Sequence, residues 1–209
     1  MNGRCDGWCL SKSIFWFFYT ATFIFVVGGF IFWLIFSPSE VKFHVTEASL
    51  TQFNYTAAAA NNTLNYKLAL NITLRNSNKR VGIYYDRIEA IAYYGKNWLS
   101  TVSLTPFYQG HKNTSVLRPV FEGQQVLSLG TRDLSKFDSE KSAGFYNIDI
   151  NLSVKIRIKY GKIKTLRFKP QNIDCPLKVP LSSNGTVAEG FQATKCDNVY
   201  FFSDPNAMD

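Results

Sequence analysis

Residues 146–160 read Tyr-Asn-Ile-Asp-Ile-Asn-Leu-Ser-Val-Lys-Ile-Arg-Ile-Lys-Tyr, and this stretch decides the fold of the 209-residue chain. The even positions are Tyr146, Ile148, Ile150, Leu152, Val154, Ile156, Ile158 and Tyr160. The odd ones are Asn147, Asp149, Asn151, Ser153, Lys155, Arg157 and Lys159. A strand sends successive side chains to opposite faces, so strict alternation predicts one long strand with one face in a core and the other in water. Working outward, Leu64 to Leu74 repeats the pattern. Leu64, Tyr66, Leu68, Leu70, Ile72 and Leu74 share one parity, opposite Asn65, Lys67, Asn71 and Thr73, with Ala69 neutral.

Further strand candidates are Val41–Leu50, Ile83–Tyr93, Leu99–Leu104, Val116–Phe121, Thr165–Lys169 and Val199–Phe202. Asn76–Arg80, Tyr94–Asn97, Gln109–Asn113 and Ser182–Gly185 have turn composition. Short strands separated by turns predict an all-β domain, an antiparallel β-sandwich of immunoglobulin or fibronectin type. Residues 131–143 are polar and fit either a short helix or a loop.

Ile14 to Phe36 reads IFWFFYTATFIFVVGGFIFWLIF, without a charge or a proline. As a helix it spans about 35 Å against a hydrocarbon core of about 30 Å, and a helix satisfies its own backbone in lipid. The apolar core of a cleaved signal peptide is shorter, about 7–15 residues, so a retained anchor is expected, although Ser37-Pro38-Ser39 offers small residues for cleavage. The organisation predicted is a cytosolic tail at 1–12, a transmembrane signal-anchor helix at 13–36 and an extracellular domain at 37–209. The lipid bilayer is then a partner through residues 14–36. Arg4 and Lys12 against Asp6 favour a cytosolic N-terminus. All six N-x-Ser/Thr sequons, at Asn54, Asn61, Asn71, Asn113, Asn151 and Asn184, follow the apolar stretch, as a luminal or external domain requires. Asn71 and Asn151 fall on the polar parity of their strands.

The four cysteines divide by compartment. Cys5 and Cys9, beside the bilayer on the cytosolic side, are candidates for palmitoylation or are inert thiols; no His or further Cys lies near enough to suggest a metal. Cys175 and Cys196 lie on the oxidising side and are expected to form a disulfide, worth about 3 kcal/mol.

No catalytic residue, cofactor site or metal site is legible. The two histidines, His44 and His111, read as surface residues, and no zincin, nucleophile-elbow or phosphate-loop motif occurs. The tail carries one unit of the chain's net +8, leaving +7 beyond the anchor. Lys155, Arg157, Lys159, Lys162, Lys164, Arg167 and Lys169 form a run without an acid. The run admits two readings. One is a solvated edge whose lysines block strand pairing. The other is a contact for an anionic surface, either cell-wall polyuronate or lipid headgroups. Nucleic acid is not expected as a partner of an external domain.

Several motifs carry a family resemblance: Arg75-Asn76-Ser77-Asn78-Lys79-Arg80, Gly82-Ile83-Tyr84-Tyr85-Asp86, Pro106-Phe107-Tyr108-Gln109-Gly110-His111-Lys112-Asn113-Thr114, and the Cys175–Cys196 pair. Together with the order of tail, anchor and sandwich, they resemble the plant harpin-induced-like, non-race-specific disease resistance-like membrane proteins, whose ectodomain is a late-embryogenesis-abundant type-two domain. Where that family usually has Asn-Pro-Asn, this chain has Asn76-Ser77-Asn78; the loss of proline loosens φ but keeps a strand-ending turn. The resemblance implies a plasma-membrane location, including plasmodesmata, and induction in defence or senescence. It implies no catalytic residue. The resulting expectation is a non-enzymatic defence protein acting through membrane or extracellular protein partners or through the cell wall. The alternative is a lipid-binding or membrane-contact module.

Overall fold

The computed structural model describes residues 8–36, 39–57, 62–164, 172–182 and 190–197. The chain divides into two units, Met1–Pro38 and Ser39–Asp209. In the first, α1 runs from Trp8 to Phe36, about 44 Å of helix, beginning five residues before the expected anchor. Its stretch Ile14–Ile31 has a membrane-spanning length and composition, and its side chains are exposed. Cys9 falls in this helix, while Cys5 lies outside the described residues.

The second unit is a sandwich of two antiparallel sheets. Its strands are β1 (Val41–Thr56), β2 (Thr63–Asn76), β3 (Val81–Tyr94), β4 (Asn97–Leu104), β5 (Phe107–Gln109), β6 (Thr114–Leu117), β7 (Val120–Val126), β8 (Phe145–Tyr160), β9 (Ile163–Lys164), β10 (Ile173–Pro180) and β11 (Thr194–Lys195). One sheet orders β11-β1-β2-β6, with β7 following β6 along the same partner, β2. The other orders β10-β8-β3-β4, with β5 also on β3 and β9 on β8. All strand pairings are antiparallel; one isolated bridge, Leu50–Leu181, is parallel. The alternation of 146–160 holds along β8. Tyr146, Ile148, Ile150, Leu152, Val154, Ile156 and Ile158 are buried, and every odd residue from Asn147 to Lys159 is more exposed. The inner faces of both sheets merge into one core, with Phe43, Val45, Leu50, Ile72 and Leu74 from one side and Ile83, Ile88, Ala90, Ile148 and Ile156 from the other.

The structure adds three short strands to the expected list, β5, β9 and β11, the first of them taking in Gln109 where a turn was expected, and departs from it more substantially in two places. Val116–Phe121 is two strands, because Arg118-Pro119 interrupts it: proline cannot donate to a ladder, although its carbonyl still accepts from Leu70 N at 3.1 Å. The second correction is β10, which contains Pro176 and Pro180 and was not anticipated. Among the described residues it is an edge strand paired in its sheet with β8, the place where proline is tolerated. Ile173, Cys175, Leu177 and Val179 still alternate inward. The expected strands Thr165–Lys169 and Val199–Phe202 lie outside the described residues. Residues 131–143 form α2 (Thr131–Ala143), with Asp133 in its first turn, Lys141 in its last, and a left-handed Gly144 (φ 76°) that ends it.

Candidate functional site

The basic run of β8 lies on the outer face of the six-stranded sheet, and its neighbours there come from other strands. Tyr84 pairs with Arg157, and Gly82 with Lys159, across β3 and β8. Tyr108 of β5 crosses over Gly82. A Cβ at that position would meet the Tyr108 hydroxyl at 2.2 Å, so only glycine leaves room for the ring. The Tyr84 and Tyr108 rings lie 4.5 Å apart. Lys164 sits over Tyr84 at 4.9 Å, Arg157 over Tyr84 at 5.4 Å, and Lys159 over Tyr108 at 5.3 Å. Ring quadrupoles attract these cations and hold the long side chains against the sheet.

Arg157 departs from the sequence expectation. It is half-buried rather than directed freely to solvent. Its Nε and Nη2 donate to Asp86 Oδ2 and Oδ1 at 2.7 and 2.6 Å. The hydrogen bonds to Asp86 raise the guanidinium's pKa further. The run has no acid in its own stretch, but a register shift between Tyr85 and Arg87 in β3 brings Asp86 to it from the neighbouring strand. Lys155, Lys162 and Lys164 are exposed and Lys159 half-buried, while Arg167 and Lys169 lie outside the described residues. Sequence reasoning missed Tyr84, Tyr108 and Asp86, although Tyr84 shares the outward parity of the alternating 81–85 stretch.

A second cluster sits where β2, β3, β5 and the start of β1 meet. Asn76, Asn78 and Gln109 are buried polar residues. Asn76 Nδ2 donates to the carbonyls of Val81 (2.8 Å) and Gly110 (3.0 Å), and its Oδ1 accepts from the Asn78 amide (3.1 Å) and Asn78 Nδ2 (2.9 Å). Gln109 Nε2 donates to Leu74 O at 2.9 Å, and Tyr85 Oη donates to Gln109 Oε1 at 3.2 Å. Asn78 also grips the first described residue of the sandwich. Ser39 N donates to Asn78 Oδ1 at 2.6 Å, and Asn78 Nδ2 donates to Ser39 O at 2.8 Å. Ser77 is exposed and contributes no side chain to this network. The asparagines therefore do the work of the Asn-x-Asn motif, and the turn forms without proline.

Of the sequons, Asn54 and Asn113 are exposed. Asn71 and Asn151 face outward as expected but are half-buried. Asn71 Nδ2 donates to Glu47, and Asn151 Nδ2 donates to Asp174 Oδ1 at 2.5 Å. Asn61 and Asn184 lie outside the described residues. Cys175 and Cys196 are disulfide-bonded, with Cα atoms 4.3 Å apart and both side chains buried. His44 is half-buried in β1 and His111 exposed in the β5–β6 loop. Among the described residues, no three His, Cys, Asp or Glu side chains gather as a metal site would require.

An apolar N-terminal helix followed by an antiparallel β-sandwich, with a cation–tyrosine surface on its outer face, defines the class. Residues 71–179 match the model of the family described as late embryogenesis abundant protein, and the chain belongs to that family. It is 46% identical over 199 residues to NDR1/HIN1-like protein 10 of Arabidopsis thaliana, covering 94% of this chain and 86% of that protein. It is 46% identical over 172 residues to NDR1/HIN1-like protein 3 of the same plant (82% and 73% covered) and 42% identical over 169 residues to NDR1/HIN1-like protein 2 (80% and 69% covered).

Proposed function

We propose that this chain is a single-pass plasma-membrane protein with a cytosolic N-terminus, acting without catalysis in plant defence or stress responses through contacts of its external domain. Family membership supports the role, and α1 supports the anchor. The partners in this reading are membrane or extracellular proteins and anionic cell-wall polymer. Its glycans sit on the external sequons, Cys5 and Cys9 carry acyl chains, and plasmodesmata are among its sites.

The observation that carries the reading is the outer face of the six-stranded sheet. Lys155, Lys159 and Lys164 stand on a rigid sheet beside two tyrosines, two of these lysines held by ring contacts. A cationic surface fixed in this way loses little side-chain entropy on meeting a polyanion. The test is retention of detergent-solubilised full-length protein on immobilised polygalacturonate. Retention is expected to fall with salt, because exposed charges are screened within about 8–10 Å near physiological ionic strength. It is expected to vanish in Lys155→Glu/Lys159→Glu/Lys164→Glu with little change in melting temperature. Equal retention of parent and variant would reject this face as the contact.

A further inference from the structure

We propose that the end of the sandwich at which the chain enters from α1 docks on the phosphate-bearing headgroups of the bilayer that holds α1, through Lys79, Arg80, Lys112 and Lys162, with Ile163 as an apolar tip. The inference rests on the reading of α1 as a retained anchor.

The register places these residues together. Val41 pairs with Asn76 at one end of the first sheet, and Val81 pairs with Tyr160 at the same end of the second, across the Asn76–Arg80 turn. The loop from Gly110 to Asn113 joins this end, because Lys112 N donates to Asn78 O and Asn76 N donates to Asn113 O, each at 3.0 Å. Lys112 takes a left-handed backbone (φ 50°) to do so. The β8–β9 hairpin turns here through Gly161 and Lys162. Lys79, Arg80, Lys112 and Lys162 are all exposed; Glu40 is the acid in the entering segment. Ile163, paired with Tyr160 directly after the hairpin turn, is 73% exposed, the highest exposure among the sandwich's large apolar side chains described. Ile163 stands between two exposed lysines, Lys162 and Lys164. It suits an interface where the apolar group enters the headgroup layer and the lysines meet phosphates.

Only Ser37 and Pro38 separate Phe36 from Ser39, so the Ser39 Cα stays within about 11 Å of the last helical Cα. The two Asn78 hydrogen bonds pin Ser39 to this end of the sandwich, so the slack does not spread into Ser39, Glu40 and the first residues of β1. A tether this short makes docking intramolecular, and a modest attraction then suffices. Each cation near an anionic bilayer shifts the docked-to-undocked ratio by about fivefold.

The experiment uses the full chain with Cys5→Ser, Cys9→Ser and Asn113→Gln, so that only an introduced Ile163→Cys is labelled and no glycan shares the Lys112 loop. A bimane at position 163 is read in vesicles carrying nitroxide headgroup lipid, either neutral phosphatidylcholine or the same with phosphatidic acid. Strong quenching in the phosphatidic acid vesicles is expected. It should be reversed by high salt and in Lys79→Gln/Arg80→Gln/Lys112→Gln/Lys162→Gln, and weakened in Asn78→Ala, which keeps every cation but frees the tether. Absent quenching in protein that resists alkaline carbonate extraction would overturn the docking while leaving the anchor standing. Quenching equal in both lipids, or insensitive to salt, would overturn headgroup recognition. Release by carbonate would bring down the anchor, and the docking with it. Quenching abolished by added polygalacturonate but not by salt would show that this end belongs to the wall contact instead.

Discussion

The two ends of the sandwich are closed by opposite chemistry. At the end where the chain enters, the plug is Asn76, Asn78 and Gln109, buried and hydrogen-bonded to backbone. At the far end α2 lies across the opening, and Phe53 packs against Tyr94, Phe137 and Tyr146 at centroid distances of 5.2, 5.9 and 4.5 Å. One acid is buried there: Glu140 accepts from Tyr94 Oη at 2.9 Å and Asn147 Nδ2 at 2.6 Å. The difference shows what each plug is for. Aromatic packing fills volume but tolerates small shifts in position. Amide networks fill little volume but define where each loop backbone sits, because an unpaired buried amide or carbonyl costs about 1–3 kcal/mol. The entering end is where the chain must be held in place, and that is where the amides are.

Exchanging the two chemistries has the largest expected effect. Phe53→Ala should cost about 3–5 kcal/mol, as a large buried aromatic does. Asn76→Leu, which adds apolar volume at the other end, should cost about 3 kcal/mol, because it orphans the Val81 and Gly110 carbonyls and the Asn78 amide. Phe53→Leu should cost clearly less than Asn76→Leu in chemical denaturation. If the two leucine variants are equal, the ends do not differ in kind.

The disulfide belongs to neither plug. It joins β10 of one sheet to the segment after β11, whose Cys196 N donates to Phe43 O. Cys175→Ser should cost about 2–4 kcal/mol and yield a thiol that labels only on unfolding. A similar loss on reduction, with both plugs intact, would separate clamping of the sheets from closure of their ends.

Alkaline pH acts on both ends through their buried tyrosines. Burial pushes the Tyr85 hydroxyl, at the entering end, above its usual 10. At the far end Tyr94 and Tyr146 are raised by burial first, then by Glu140. A raised folded pKa means that the native state keeps protons which the unfolded chain loses. The contribution is therefore complete below about pH 10 and falls as pH rises beyond it, by about 1.4 kcal/mol per pH unit per tyrosine. Tyr94→Phe should remove one proton from that slope, measured by denaturation at pH 10 to 12, and so should Tyr85→Phe. An unchanged slope in either variant would show that its tyrosine is not held neutral.

The smallest expected effect is on glycan occupancy. Exposed Asn54 and Asn113 should be more fully modified than Asn71 and Asn151, whose amides are tied to Glu47 and Asp174. Glycopeptide mass spectrometry of the native protein reads this ordering. Full occupancy at Asn151 with none at Asn113 would reverse it and would leave the entering end bare of sugar.

Much of the fold was legible because it is written in local period. The alternation in 64–74 and 146–160 appears as β2 and β8, two of the four long strands inside the sheets, and the 23 uncharged residues from Ile14 appear within α1. Edges were harder. β10 alternates inward at Ile173, Cys175, Leu177 and Val179, but Pro176 and Pro180 argue against a strand until its position at an edge is known. The candidate site was half legible. The cations could be read along β8, whereas Asp86, Tyr84 and Tyr108 come from β3 and β5.

The class of the molecule is readable along the chain: an apolar helix, a two-sheet antiparallel domain, the paired cysteines and a surplus of positive charge. Each of these depends on neighbours along the chain or on totals, so a linear reading reaches them. It takes the folded chain to bring an acid from the next strand to Arg157, to set Tyr108 over Gly82, and to let Asn78 grip Ser39 from 39 positions away. Those contacts depend on strand register and on a bulge. A shift of one residue in pairing turns every side chain to the other face, and no local pattern records which pairing was chosen.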